Sequence, residues 1–99
     1  MSPPETPELL AQALRRSSNW TWVSGMLIVY GNGRRALYRG VVDGPGEALP
    51  VLKHDATAGC LMGLLAETGP GWQAVLTEEM ARGGDWRLAV ARALWRQWR

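Results

Sequence analysis

The chain has 99 residues, of which 46% are hydrophobic and 20% charged, and a formal net charge of +2. This length suits one domain burying roughly 60–70% of the surface its unfolded chain exposes, and no apolar run approaches the roughly 18 residues that span a membrane. One Cys excludes an internal disulfide, and the first residues, MSPPETPELL, lack the basic and apolar segments of a secretory signal, so a reducing cytoplasm is the expected setting.

Residues 1–5 read as a flexible Pro-rich tail and residues 6–99 as a single α+β domain. Thr6-Pro7-Glu8 starts a helix: Thr6 can cap, Pro7 fits the first turn, and Glu8 sits well against the dipole. The helix is expected to reach Arg16, with Leu9, Leu10, Ala13 and Leu14 on its buried face. Residues 20–30, WTWVSGMLIVY, are rich in aromatic and β-branched residues and read as a strand interrupted at Ser24-Gly25. Gly31-Asn32-Gly33 then turns the chain into a returning strand over 34–42. Both faces of the first strand are apolar, so helices cover both, or one face stays partly open.

Asp43-Gly44-Pro45-Gly46 is a turn-rich loop, and residues 50–52 run extended into the strongest helical pattern of the chain. That helix is expected to be capped by Asp55 and to end near Glu67, before Thr68-Gly69-Pro70-Gly71. Ala56, Gly59, Cys60, Gly63 and Leu64 lie along one side. Two glycines inside a helix cost about 2 kcal/mol relative to alanine, which points to close packing of this stripe on the sheet, with a ligand groove as the alternative. On the first reading Gly63→Leu destabilises the fold by clash.

Residues 71–76 alternate Trp72, Ala74 and Leu76 against Gln73 and Val75, as a third strand does. Residues 77–82 fit either an extension of that strand or one helical turn capped by Thr77. Asp85 caps a last helix, in which Trp86, Val90, Ala93, Leu94 and Trp98 form an apolar arc and Arg92, Arg96 and Arg99 a basic edge, with Trp95 at the border. This helix is the expected lid on the sheet. The predicted architecture is α+β, with a small three-stranded, mainly antiparallel sheet packed with helices in the order α-β-β-α-β-α.

Trp20-x-Trp22-x-x-Gly25-Met26, Leu49-Pro50-x-Leu52, Ala56-Thr57-x-Gly59-Cys60-Leu61 and Leu64-Leu65 together resemble a group of short proteins of unknown function encoded by phages and prophages of GC-rich bacteria. That group usually has Asp-Pro before the Ala-Thr; here His54 and Asp55 stand in those places. The resemblance covers roughly residues 20–66. It implies a phage-related origin and a bacterial host cytoplasm, and it brings no known activity and no site residues.

Catalytic patterns are weak. His54 and Cys60 are each unique and six positions apart, on different faces of a helix, so Cys60 reads as a small buried apolar residue. No spacing suits zinc, Gly31-x-Gly33 lacks the rest of a dinucleotide fingerprint, and the adjacent Glu78 and Glu79 diverge as a solvated pair. The expectation is therefore a non-enzyme without metal or cofactor. The first reading is a protein that binds a host or phage protein, for example an anti-CRISPR-type inhibitor of a host-defence complex, since Trp, Tyr, Met and Arg suit interface hot spots. The second is a nucleic-acid-binding module with Trp22, Tyr30 and Tyr38 stacking and Arg34, Arg35, Arg39, Arg92, Arg96 and Arg99 on phosphates. Partner-contact candidates are Trp22, Tyr30, Tyr38, Arg39, Arg92, Trp95, Arg96 and Arg99. A homodimer through the open sheet face is compatible with the first reading. Changing Arg92 and Arg96 together to Glu is expected to leave folding nearly intact and to damage binding.

Overall fold

Thr6 starts the first helix as its hydroxyl chemistry predicts. In the computed structural model, which describes residues 4–40 and 48–99, Thr6 Oγ1 accepts from the Leu9 N–H at 3.1 Å and α1 spans Pro7–Arg16. Its buried residues are Leu10, Ala11 and Leu14, a stripe rotated from the expected one, and Leu9 is 51% exposed.

The sheet is a short antiparallel hairpin with a third strand added beside it. In β1 (Leu27–Val29) and β2 (Arg35–Leu37) the pairs are Leu27 with Leu37, Ile28 with Ala36 and Val29 with Arg35. The turn between them closes where the Tyr30 N–H donates to the Arg34 carbonyl at 2.8 Å and the Gly33 N–H donates to the Tyr30 carbonyl at 2.9 Å. Gly33 has φ +86°, a value that carries no Cβ penalty for glycine. The third strand, β3 (Leu49–Pro50), pairs Pro50 with Ile28 and Leu49 with Val29, which gives the strand order β2-β1-β3. Pro50 sits on an edge strand, where its missing N–H removes no central ladder bond.

Antiparallel partners share a face, and the two faces differ. Ile28 and Pro50 are buried; Leu27 and Val29 are half-buried and Leu37 is 48% exposed. Part of the second face is therefore open. The returning strand is shorter than the expected 34–42, and its last two residues, like the turn at 43–46, lie outside the described residues.

Residues 71–76 are not a strand. They begin α3 (Trp72–Ala81), which also absorbs the ambiguous residues from 77 onward, with Arg82 as C-cap. Trp72, Val75, Leu76 and Glu79 recur at i, i+3, i+4 and i+7, and this helical spacing prevails over the short alternation. Leu76 and Glu79 are buried, and Trp72 and Val75 half-buried. The α+β class holds, with the elements in the order α-β-β-β-α-α-α.

The central helix, α2 (Asp55–Ala66), is capped by His54, whose Nδ1 accepts from the Ala56 N–H at 3.2 Å; Asp55 is the first helical residue instead of the cap. Thr57, Ala58, Leu61 and Leu65 are its buried side. Gly59 and Gly63 are exposed, and beyond the adjacent backbone of α2 itself no described atom lies within 4 Å of a Cβ built on either. The close-approach account of these glycines is therefore wrong, and Gly63→Leu has no sheet to clash with. The helix reaches the sheet through a hydroxyl instead. Thr57 Oγ1, fully buried, accepts from the Leu27 N–H at 2.9 Å and donates to the Leu27 carbonyl at 3.3 Å.

The last helix, α4 (Trp86–Trp98), is capped by Asp85, which accepts from the Arg87 N–H at 2.9 Å. Ala89, Val90, Ala91, Ala93 and Leu94 are buried, and the extensive contacts of α4 are with α1, α2 and α3. It is the hub of a helical layer, where the sequence pattern led us to expect a lid on the sheet. Leu10, Leu14, Met26, Leu52, Leu61, Leu65, Val90 and Leu94 make the core around it, each Leu contributing about 1.5–3 kcal/mol of apolar burial. No helix among the described residues is long and apolar enough to cross a membrane.

Because Gly63 faces open space in helical conformation, Gly63→Ala is expected to stabilise the protein by about 0.8–1 kcal/mol. A thermal melt checks this: a rise of a few degrees supports the exposed face, and a fall contradicts it.

Candidate functional site

The residues of greatest chemical interest gather where α3 and α4 face each other across the Gly83-Gly84 turn. Glu79 closes the i, i+3, i+4, i+7 stripe of α3, so the pattern that buries Trp72, Val75 and Leu76 also carries a carboxylate inward; it is 2% exposed. Arg92 and Arg96, one turn apart on α4, lie side by side opposite it. Arg92 Nε donates to Glu79 Oε1 at 2.8 Å and Arg96 Nη1 to Oε2 at 3.0 Å. Arg82, one turn on from Glu79, adds its Nη1 at 3.2 Å from Oε1. Arg96 also reaches Glu78 Oε2 at 2.9 Å.

Taking a carboxylate out of water costs several kcal/mol unless charges and hydrogen bonds compensate it. Burial pushes the Glu79 carboxyl up, but the hydrogen bonds from Arg92 and Arg96 and the charges of Arg82 and Arg92 outweigh that effect and hold it below the usual range. The solvated acidic pair expected at Glu78-Glu79 is thus half buried ion network. Arg92 and Arg96 are structural partners of Glu79, so the expectation that both tolerate change to Glu without loss of folding is overturned: two more carboxylates would face a buried one.

Beside this network lies a pocket of about 270 Å³, lined by Glu79, Arg82, Arg92, Trp95, Arg96 and Arg99. The Arg99 guanidinium stands 5.0 Å from the Trp95 ring centroid, a cation–π distance. Of the expected contact residues, Arg92, Trp95, Arg96 and Arg99 therefore form one site. Trp22 and Tyr38 belong to a separate aromatic cluster: Trp20 meets Trp22 edge-on at 5.2 Å and Trp98 at 6.3 Å, and Trp22 meets Tyr38 at 5.8 Å. The Arg15 guanidinium lies 5.6 Å from the Trp22 ring. Tyr30 stands apart at the hairpin, under Arg34 at 4.7 Å, and Arg39 is exposed just past β2.

Sequence reasoning missed Glu79 and Arg82. The signal was the helical spacing of Trp72, Val75, Leu76 and Glu79, hidden because its last member is charged.

The other reactive side chains are occupied locally. His54 caps α2, and the half-buried Cys60 Sγ points at the Ser24 carbonyl at 3.7 Å. Burial pushes the Cys60 thiol up, the opposite of what activates a nucleophile. Asp85 is held below the usual range first by the Arg87 side chain, which grips both its oxygens at 2.9 Å. Among the described residues no three of His, Cys, Asp and Glu gather as metal ligands.

Compared with protein families, curated proteins and solved structures, the chain matches none.

The folded Glu79 carboxyl is more acidic than its unfolded counterpart, at about 4.3, so the unfolded chain takes up the proton first as pH falls. The stabilisation is complete above that value and is lost as pH drops through the lower folded one. Glu79→Gln is expected to cost about 1.5–3 kcal/mol at neutral pH, the range for hydrogen bonds to a charged group, and to flatten the acid-side fall in stability. Urea denaturation across pH checks both; equal neutral-pH stabilities of the variant and the parent chain would contradict the network's role.

Proposed function

We propose that this chain is a small, non-enzymatic, phage-related protein of the bacterial host cytoplasm that binds a host or phage protein, an inhibitor of a defence complex such as a CRISPR effector being one example of the class. Its contact surface is the arginine face of α3 and α4. The observation that carries this reading is the tethering of Arg92 and Arg96 to a buried carboxylate. Guanidinium groups already held in place lose little rotamer freedom on binding, and beside Trp95 they are the side-chain types that dominate protein interfaces.

The same geometry weighs against base stacking. Trp22, Tyr30 and Trp95 each already carry one of the protein's own guanidinium groups over the ring, and Glu78 and Glu79 dilute the positive field that a phosphate backbone seeks.

Several of the residues quoted for the phage resemblance serve the fold. Met26, Leu52 and Leu61 are core, Thr57 ties α2 to β1, and Gly25 has φ +103° with the Cys60 sulfur 3.7 Å from the position of its Cβ. The arginine face lies outside those residues.

A tagged pull-down from bacterial lysate, with and without nuclease, tests the reading. One stoichiometric protein that survives nuclease and is lost with Arg99→Glu is expected. Loss of all bound material on nuclease treatment would establish the nucleic-acid reading in its place, and full retention by Arg99→Glu would make this face ordinary surface.

A further inference from the structure

The arginine pocket does not end at α4. Through shared walls at Trp95 and Arg99 it continues into a depression of about 310 Å³ that Arg16 and Trp98 also line, between the end of α1 and α4. That depression continues in turn, through Ala13 and Arg16, into one of about 380 Å³ along the outer side of α1, where Leu9 and Gln12 lie. The three depressions adjoin along one surface groove, which has two characters. At one end Arg82, Arg92 and Arg96 hold Glu79 and Arg99 lines the same pocket; at the other, Leu9 is 51% exposed beside Ala13. Arg16 and Arg99 are exposed and make no ion pair among the described residues.

We propose that this groove binds an extended acidic segment of a partner protein, with a carboxylate side chain in the arginine pocket and an apolar side chain against Leu9 and Ala13. This rests on the protein-binding reading above and names the chemistry of the partner. Five arginines line the groove against the carboxylates of Glu79 and Glu5, and the Glu79 charge is already spent on Arg82, Arg92 and Arg96. The surplus is cationic, and guanidinium is the group that pairs with carboxylate in two parallel hydrogen bonds. A polyphosphate chain fits less well. It would find Trp95 covered by Arg99 and make no use of Leu9.

The test is an NMR titration of the full chain with three probes: a synthetic peptide alternating Glu with Leu and Gly, its Gln-for-Glu counterpart, and oligothymidylate of similar length. The acidic peptide is expected to move the indole N–H signals of Trp95 and Trp98 and the amides of Ala13 and Arg16, while the Gln peptide leaves them in place. Arg16→Glu combined with Arg99→Glu, which leaves the Glu79 network untouched, is expected to weaken the acidic peptide at least about tenfold with signal dispersion retained. Equal binding of both peptides would overturn the acidic specificity, and binding by neither would overturn the groove, while a nuclease-resistant protein in the pull-down would still uphold a protein partner. Tighter binding of oligothymidylate at the same signals would overturn both proposals.

Discussion

The buried carboxylate of Glu79 is the constraint from which the rest of this structure can be understood. An ionised group at 2% exposure is tolerated only with strong partners, and here they come from the next turn of its own helix and from two turns of α4. The requirement sets how α3 lies against α4. It also fixes the direction of the guanidinium groups whose outer edges line the pocket, so the interaction that organises the helical hairpin also builds the candidate contact face.

Around that hairpin the fold divides its work unequally. α4 carries alanines at 89, 91 and 93 alongside Val90 and Leu94, and these small buried residues let α1, α2 and α3 all approach one helix. The sheet is much slighter, with two strands of three residues and one of two. Short strands of this kind are marginal alone; the Thr57 hydroxyl, bonded to both backbone groups of Leu27, attaches them to the helical layer.

Local chemistry was legible where it acted alone. The Thr6-Pro7 start of α1, the Asp85 cap of α4 and the Gly31-Asn32-Gly33 turn each depend on a few adjacent residues, and each stands as read, whereas the strand expected over 20–30 is confined to Leu27–Val29 and residues 20–23 before Ser24-Gly25 are not strand. Faces and pairings were harder. α2 is apolar almost all round, so periodicity could not say that Leu61 and Leu65 turn inward and the glycines outward. A six-residue window at 71–76 satisfied both a period of two and a helical period, and the residue that would have decided between them, Glu79, looked like surface. Of the expected contact residues, Arg92, Trp95 and Arg96 lie on α4 and Arg99 at its C-cap, and these line one pocket, whereas Trp22, Tyr30, Tyr38 and Arg39 were joined to them only by residue type and lie elsewhere.

The central claim is that Glu79 and the α4 arginines act as one energetic unit, and a double-mutant cycle with Glu79→Gln and Arg92→Gln, read by urea denaturation at neutral pH, measures it directly. Partners in one buried network are expected to show a coupling energy of about 1–3 kcal/mol, with the double variant losing clearly less than the sum of the single losses. Additivity within about 0.5 kcal/mol would contradict the account, leaving the arginines as independent surface groups with nothing to hold them in place.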